Sequence, residues 1–275
     1  PPLDWRSMAP VIAVVAGLIA AFWPLMRRLP EMWFGDETYY AHGVAVPLCA
    51  ALIVWDRWDK LRTEAKPGPW WAILPLLGCC WVTWVAAGNS TRILLSLLLI
   101  ATCLSASLFI LGWGGLKRLA APSFYLLFAL PLWDNVIDKY TAPLQKISAI
   151  GAYQFFDMLG MNPFRQDLTL IYLNNFTVDV GVACSGLRLV LAVAAIVTFF
   201  VLVAHLEWWK NLLLFAISLP LCVLINTLRI TLIGIVGNQY GSEAGHAFHD
   251  YSGYISLVVS FLILMKVTKI LGWKV

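Results

Sequence analysis

Three short polar clusters interrupt an apolar sequence, and together they hold the side chains that acyl transfer needs. Cys184, in Ala183-Cys184-Ser185-Gly186-Leu187-Arg188, stands at the start of an apolar run. A thiol at a helix N-terminus ionises more readily than a free one, and a neighbouring cation pushes the same way. Arg188, four residues on, supplies that cation if the turn is helical, and Ser185 is placed to cap the helix. Arg229, in Asn226-Thr227-Leu228-Arg229, lies inside another apolar run. An arginine there is costly and normally turns toward protein or enclosed water. Asn226, at i−3, adds a second polar group to the same stripe. His249 belongs to Gly245-His246-Ala247-Phe248-His249-Asp250-Tyr251-Ser252-Gly253, just before the last apolar run. A thiolate can attack a carbonyl, a guanidinium can hold the oxyanion and an imidazole can move protons.

Each cluster also has a plainer reading: an inert thiol, arginines reaching for headgroups, loop histidines. Two other classes of function fit the same residues. Ser185 followed by a later histidine suits a rhomboid-like intramembrane serine protease. Asn226, Arg229 and His249 could line the anion path of a transporter or channel. Transporters, however, usually bind near the midplane in broken helices, and here the polar groups gather toward one edge. No zinc-ligand spacing links His246, His249, Asp250 and Cys184, so neither a metal nor a cofactor is expected.

The elements that must position these residues are membrane helices. Of 275 residues, 61% are hydrophobic and 12% are charged, against roughly 25% charged in soluble chains. Apolar runs at about Ala9–Met26, His42–Trp55, Trp70–Ala87, Ile93–Leu111, Leu119–Trp133, Gly186–His205, Asn211–Val236 and Gly253–Thr268 predict about eight transmembrane helices. The fold class is therefore an all-α polytopic membrane protein, a single integral membrane domain over 1–275. The 14 Trp suit its many interfacial positions. Cys49, Cys79, Cys80, Cys103 and Cys222 fall inside spans and read as small hydrophobes. With the N-terminus inside, about 11 Lys and Arg lie on the cytoplasmic side and 6 outside, Arg188 and Arg229 aside. That sense brings the sixth, seventh and eighth spans together with Cys184, Arg229 and His249 at the outer edge.

An extracytoplasmic insertion, about 134–183, precedes the sixth span. Leu144, Ile147, Ile150, Phe155, Met158 and Leu159 recur at helical spacing, predicting an amphipathic helix over Thr141–Met161 that lies on the membrane. Asn162-Pro163 ends it. Asp167–Val180 reads as a β-hairpin: Leu168, Leu170 and Tyr172 alternate on one arm, Phe176, Val178 and Val180 on the other. Asn174-Asn175 forms the turn, since Asn tolerates positive φ. The hairpin leads directly to Cys184, and an exposed arm could accept an extended peptide by strand addition.

In that order and spacing, Ala183-Cys-Ser-Gly186, Asn226-x-x-Arg229 and His249-x-x-x-Gly253 resemble the three active-site motifs of the exosortases and archaeosortases. Tyr40-Ala-His42-Gly43 and Trp55-Asp-Arg57 are similar to that family's N-terminal half, so the resemblance runs from about Tyr39 to Ser256. It implies a cysteine protease or transpeptidase of the bacterial inner membrane, multi-pass, with its active site facing the periplasm. The implied partners are substrate proteins with a C-terminal sorting tail: a Pro-Glu-Pro type motif, a transmembrane helix and a basic cluster. Cleavage near the motif through a thioester would pass the protein to a lipid- or glycan-linked acceptor, a chemistry that accompanies export of surface proteins and exopolysaccharide. Cys184, Arg229 and His249 take the catalytic positions. Arg188, Asn226 and Ser185 are expected to contact substrate. Membrane lipids surround the chain, and no nucleic acid is expected.

Overall fold

A computed structural model describes residues 16–35, 39–86, 92–167, 169–181 and 187–273, without the side chains of 135–138, 140, 141 and 187. The first residues of the first span (9–15), Leu168 of the hairpin, and Cys184 and Ser185 lie outside the described residues. The chain divides into two compact units, Pro1–Leu132 and Trp133–Val275.

In the first unit, residues 16–21 are helical and lead to α1 (Trp23–Met26) and α2 (Leu29–Phe34). There follow α3 (Ala45–Asp56), α4 (Trp58–Glu64), α5 (Ile73–Ala86) and α6 (Arg92–Tyr125). Phe22, Leu25 and Leu29 pack on Leu95, Leu99 and Leu130 in its core. The gap that the sequence predicts between the fourth and fifth spans is not a loop. It is a break at Gly112 within α6, where φ is +66°, a backbone conformation that suits glycine. The N–H groups of Lys66 and Gly68 brace the break by donating to the carbonyls of Leu111 and Phe109 at 3.2 and 3.1 Å.

The two N-terminal motifs do packing work in this unit. His42 is buried, and its Nε2 lies 3.1 Å from the carbonyl of Phe128. A Cβ on Gly43 would stand 2.3 Å from Nε1 of Trp33, whose indole donates to the Ala129 carbonyl at 3.1 Å. Arg57 donates to the carbonyl of Arg118 at 3.4 Å, and Arg118 forms a two-pronged pair with Glu64. That guanidinium holds the Glu64 carboxyl below the usual carboxylate range.

The second unit contains the predicted site residues. Its helices are α7 (Asp134–Met158), α8 (Leu187–Val203), α9 (Trp208–Tyr240) and α10 (Ser242–Ile270). Between α7 and α8 lies an antiparallel sheet of β1 (Phe164–Arg165), β2 (Leu170–Tyr172) and β3 (Thr177–Asp179), in the order β1-β2-β3. Among the described residues, three stretches are long and apolar enough to cross a membrane: Arg92–Ala129, Trp208–Tyr240 and Ser242–Ile270. Ala41–Asp56, Trp70–Ala86 and Arg188–Val203 are apolar but shorter.

Small residues let these helices approach one another. Ser252, Ser256, Ser260 and Thr268 line one face of α10 and are all buried. The last three return their hydroxyls to carbonyls four residues back, at 2.7–2.8 Å. This satisfies the hydroxyls within the helix and leaves a narrow stripe suited to close packing. Leu189, Val193, Val197 and Phe200 of α8 fill the core with Leu214, Cys222 and Ile225 of α9 and Leu264 of α10. A second core joins Ala149, Ala152 and Phe156 of α7 to Ile171, Phe176, Val178 and Val180 of the sheet region and to Ile230 and Ile233 of α9.

The sheet differs from the sequence reading in three respects. It has a third strand, β1, paired Phe164↔Tyr172 and Arg165↔Ile171. On β2 the fully buried residue is Ile171, opposite Val178, and not Leu170 or Tyr172. The run from Leu168 to Leu173 is apolar at most positions, so its pattern sets no face, and the pairing with β3 decides it. Third, neither turn asparagine has positive φ. The turn is held from outside, because Asn175 N–H donates to Asn238 Oδ1 at 2.8 Å and its side-chain amide donates to the Asn238 carbonyl at 3.3 Å. The amphipathic helix also starts seven residues earlier than expected, at Asp134.

The sheet lies on α9 where that helix has no side chains. A Cβ on Gly237 would meet the Phe176 ring at 2.5 Å, and one on Gly234 would meet Phe156 at 2.3 Å. Gly237→Ala should therefore cost about 1–3 kcal/mol through overpacking. A lower melting temperature in detergent would register this. Asn238→Ala removes the side-chain acceptor of the Asn175 N–H, a bond worth about 1 kcal/mol, and keeps the backbone carbonyl that accepts from the Asn175 amide. Amide exchange should then accelerate across 173–177 while the core of α9 stays protected.

Candidate active site

Arg229 is the twenty-second residue of α9, roughly 32 Å along the axis from Trp208 at a rise of 1.5 Å per residue. Counted from Gly241, which joins the two helices, Arg229 lies 12 residues back and Ser252 lies 11 residues on, so the antiparallel pair brings these two to one level, with His249 one turn nearer Gly241.

Direct contacts join them. Arg229 Nε donates to Ser252 Oγ at 2.9 Å, and Nη2 donates to the backbone carbonyl of His249 at 3.2 Å. Ser252 Oγ in turn donates to that same carbonyl at 2.9 Å. The triangle clamps the guanidinium to the second turn of α10 with charge-assisted hydrogen bonds, stronger than neutral ones. Gly253 keeps the adjoining surface bare, since a Cβ there would lie 3.9 Å from Nη2. Asn226, one turn below Arg229, is buried. Beside it, Thr227 packs on α7 at Gly151, where a Cβ would come within 2.7 Å of the Thr227 methyl.

His249 is not on a loop, as the sequence suggests, but on α10, which begins at Ser242. Its Nδ1 lies 3.3 Å from Oδ1 of Asp250. Both Arg229 and Arg188 are close enough to act electrostatically on the ring. Arg188 is the second residue of α8, and its Nε is buried without a hydrogen-bond partner among the described residues. Residues from the starts of α8 and α10 and from the C-terminal half of α9 thus share one locality.

A cleft of about 160 Å³ opens beside this cluster. One wall is β3, with Thr177, Val178 and Asp179, and the other is Gly245, His246 and His249 of α10. Ile230 and Ile233 of α9 also line it. His246, one turn before His249, meets the edge of the Phe176 ring at 6.0 Å between centroids.

The family model for transmembrane exosortases matches residues 33–266. The chain belongs to the transmembrane exosortase family. The match takes in both units and all three polar clusters, and it makes this exosortase an integral membrane protein. No curated protein and no solved structure matches the chain.

Within this exosortase, two of the three resembling motifs, Asn226–Arg229 and His249–Gly253, are in contact. Cys184 and Ser185 of the third lie outside the described residues. Sequence reasoning overlooked Ser252 and Asp250 as partners of Arg229 and His249. The signal was present: Ser252 follows His249 by three residues, one helical turn, and Asp250 is adjacent to it. Reading the segment as a loop hid the turn.

Proposed function

We propose that this exosortase is a cysteine transpeptidase that cuts a C-terminal sorting tail at the extracytoplasmic membrane edge. The substrate is a protein carrying a Pro-Glu-Pro type motif followed by a transmembrane helix and a basic cluster. The observation that carries the reading is the Arg229–Ser252–His249 triangle, which fixes the guanidinium against the backbone carbonyl of His249, the residue whose ring feels the charge of Arg229 and Arg188. Cys184 is four residues from Arg188 in the chain, and four residues span at most roughly 14 Å.

On this reading the proton of Cys184 passes to His249, and the thiolate attacks the carbonyl carbon of the scissile peptide bond. Arg229 stabilises the oxyanion of the tetrahedral intermediate. As the C–N bond breaks, the imidazolium of His249 returns the proton to the leaving amine, and a thioester remains on Cys184. An acceptor nucleophile, lipid- or glycan-linked, then gives its proton to His249 and attacks the thioester, which frees the sulfur. Asp250 beside Nδ1 favours the tautomer that exchanges protons at Nε2. Arg188, Asn226 and Ser185 hold the tail.

His249→Ala is the test that bears on this pairing. In cells expressing a reporter with the tripartite tail, processing should fall by roughly 10²–10⁴-fold, while protein abundance and melting temperature stay near the parent's. Parental processing by a folded His249→Ala protein would refute the role.

A further inference from the structure

β3 is an edge strand whose outer backbone groups have no partner among the described residues. The ladder fixes which groups those are. Leu173 N–H donates to the Phe176 carbonyl at 2.9 Å and Val180 N–H to the Thr169 carbonyl at 3.0 Å. These two pairs, with Ile171↔Val178 between them, are the hydrogen-bonded pairs of an antiparallel ladder. Phe176, Val178 and Val180 therefore turn their amides toward β2. Thr177 and Asp179 turn theirs to the free edge, with exposed side chains. Both residues line the cleft that faces His246 and His249. An open edge is a template for another chain, and this one runs along the wall opposite the candidate catalytic imidazole.

We infer that the extended segment of the acyl-donor tail adds to the free edge of β3 as a fourth strand. The identity of that peptide rests on the reading above; the docking edge does not. The direction follows from packing. β3 runs from the Asn238 end of α9, with Phe176 over Gly237, to Val178 over Gly234. It therefore descends toward the apolar part of α9. A tail whose membrane helix follows its motif descends in the same sense, so the added strand is parallel to β3.

A Pro-Glu-Pro segment fits that edge in one register. Proline has no N–H, and prolines two residues apart both point their nitrogens to one side of a strand. That side must be the outer one, which leaves the Glu backbone facing β3. Its N–H donates to the Thr177 carbonyl, and its carbonyl accepts from the Asp179 N–H. The Glu then sits opposite Val178, with its side chain on the same, α9-facing side, where His246 and His249 line the cleft. His246 gains a role in this arrangement as a partner for the motif carboxylate.

Two measurements on the full chain in lipid nanodiscs test this. Asp179→Pro removes the outward N–H and leaves the β2 ladder intact, since that N–H takes no part in it. Fluorescent tail peptides should bind it roughly tenfold more weakly than the parent, the loss of about one hydrogen bond. In parallel, single backbone amides of the tail peptide are N-methylated in turn, which keeps the test alive even if the variant misfolds. Binding to the parent should be lost with a two-residue period that includes the Glu amide, with the intervening positions tolerated. Parental affinity in a folded Asp179→Pro, or losses without that period, would overturn the inference. A two-residue period with no cleavage of the unmodified tail would support the docking and count against the transpeptidase reading.

Discussion

Cys184→Ala should abolish processing of a tail-bearing reporter, with a loss of at least about 10³-fold, because no other group replaces the nucleophile. The remaining thiols are poor substitutes. Cys222 is buried in the core of α8, α9 and α10. Cys49, Cys79, Cys80 and Cys103 belong to the first unit. Cys184→Ser is the informative companion: a hydroxyl is far less readily ionised than a thiol, so it should recover little of the activity. Quantitative blotting of precursor and product in membranes measures both variants. A Cys184→Ala enzyme at parental rate, with Ser185→Ala inactive, would instead establish the rhomboid-like alternative.

The second large effect belongs to Arg229. Arg229→Ala removes the guanidinium from the helix contact and leaves Ser252 Oγ and the His249 carbonyl bonded only to each other. Loss of an oxyanion donor costs roughly 10²–10³ in kcat, so processing should fall by at least that factor. Arg229→Lys should not restore it. An ammonium is a point charge without the planar fork that spans Ser252 and the backbone carbonyl together. Ser252→Ala removes one arm of the triangle only, so it should lower kcat more mildly. Equal and complete loss in Arg229→Ala and Ser252→Ala, with falling melting temperatures, would mark the cluster as structural.

How far the sequence led differs from element to element. The apolar runs, the amphipathic helix and the hairpin were legible because burial in lipid or against a helix imposes a period on side-chain type. The convergence of Arg229 and His249 was legible too, because consecutive antiparallel spans joined by a short turn bring the end of one and the start of the next to the same face. The remainder depends on contacts made at a distance. β1 has only two residues and exists through its pairing with β2. Ile171 is buried because it pairs with Val178, which an unpatterned apolar run cannot announce. The Asn174-Asn175 turn owes its shape to Asn238, sixty-three residues from Asn175. α10 reaches back through His246 and His249 because polar residues extend a helix past the apolar stretch without changing its hydrogen bonding. Apolarity alone places the start at Gly253, several residues too late. Tyr40-Ala-His42-Gly43 was legible only as a likeness to the family's N-terminal half, and within the first unit it seats Trp33 and binds the turn at Phe128.

The central claim is that a thioester forms on Cys184 next to the Arg229–His249 cluster. Mass spectrometry of purified enzyme, quenched in acid shortly after mixing with a tail-bearing reporter, tests it most directly. The account predicts an adduct of the reporter's N-terminal fragment on the peptide containing Cys184, released by neutral hydroxylamine and absent from Cys184→Ala. Efficient cleavage of the reporter with no such adduct, and at the same rate in Cys184→Ala, would contradict it.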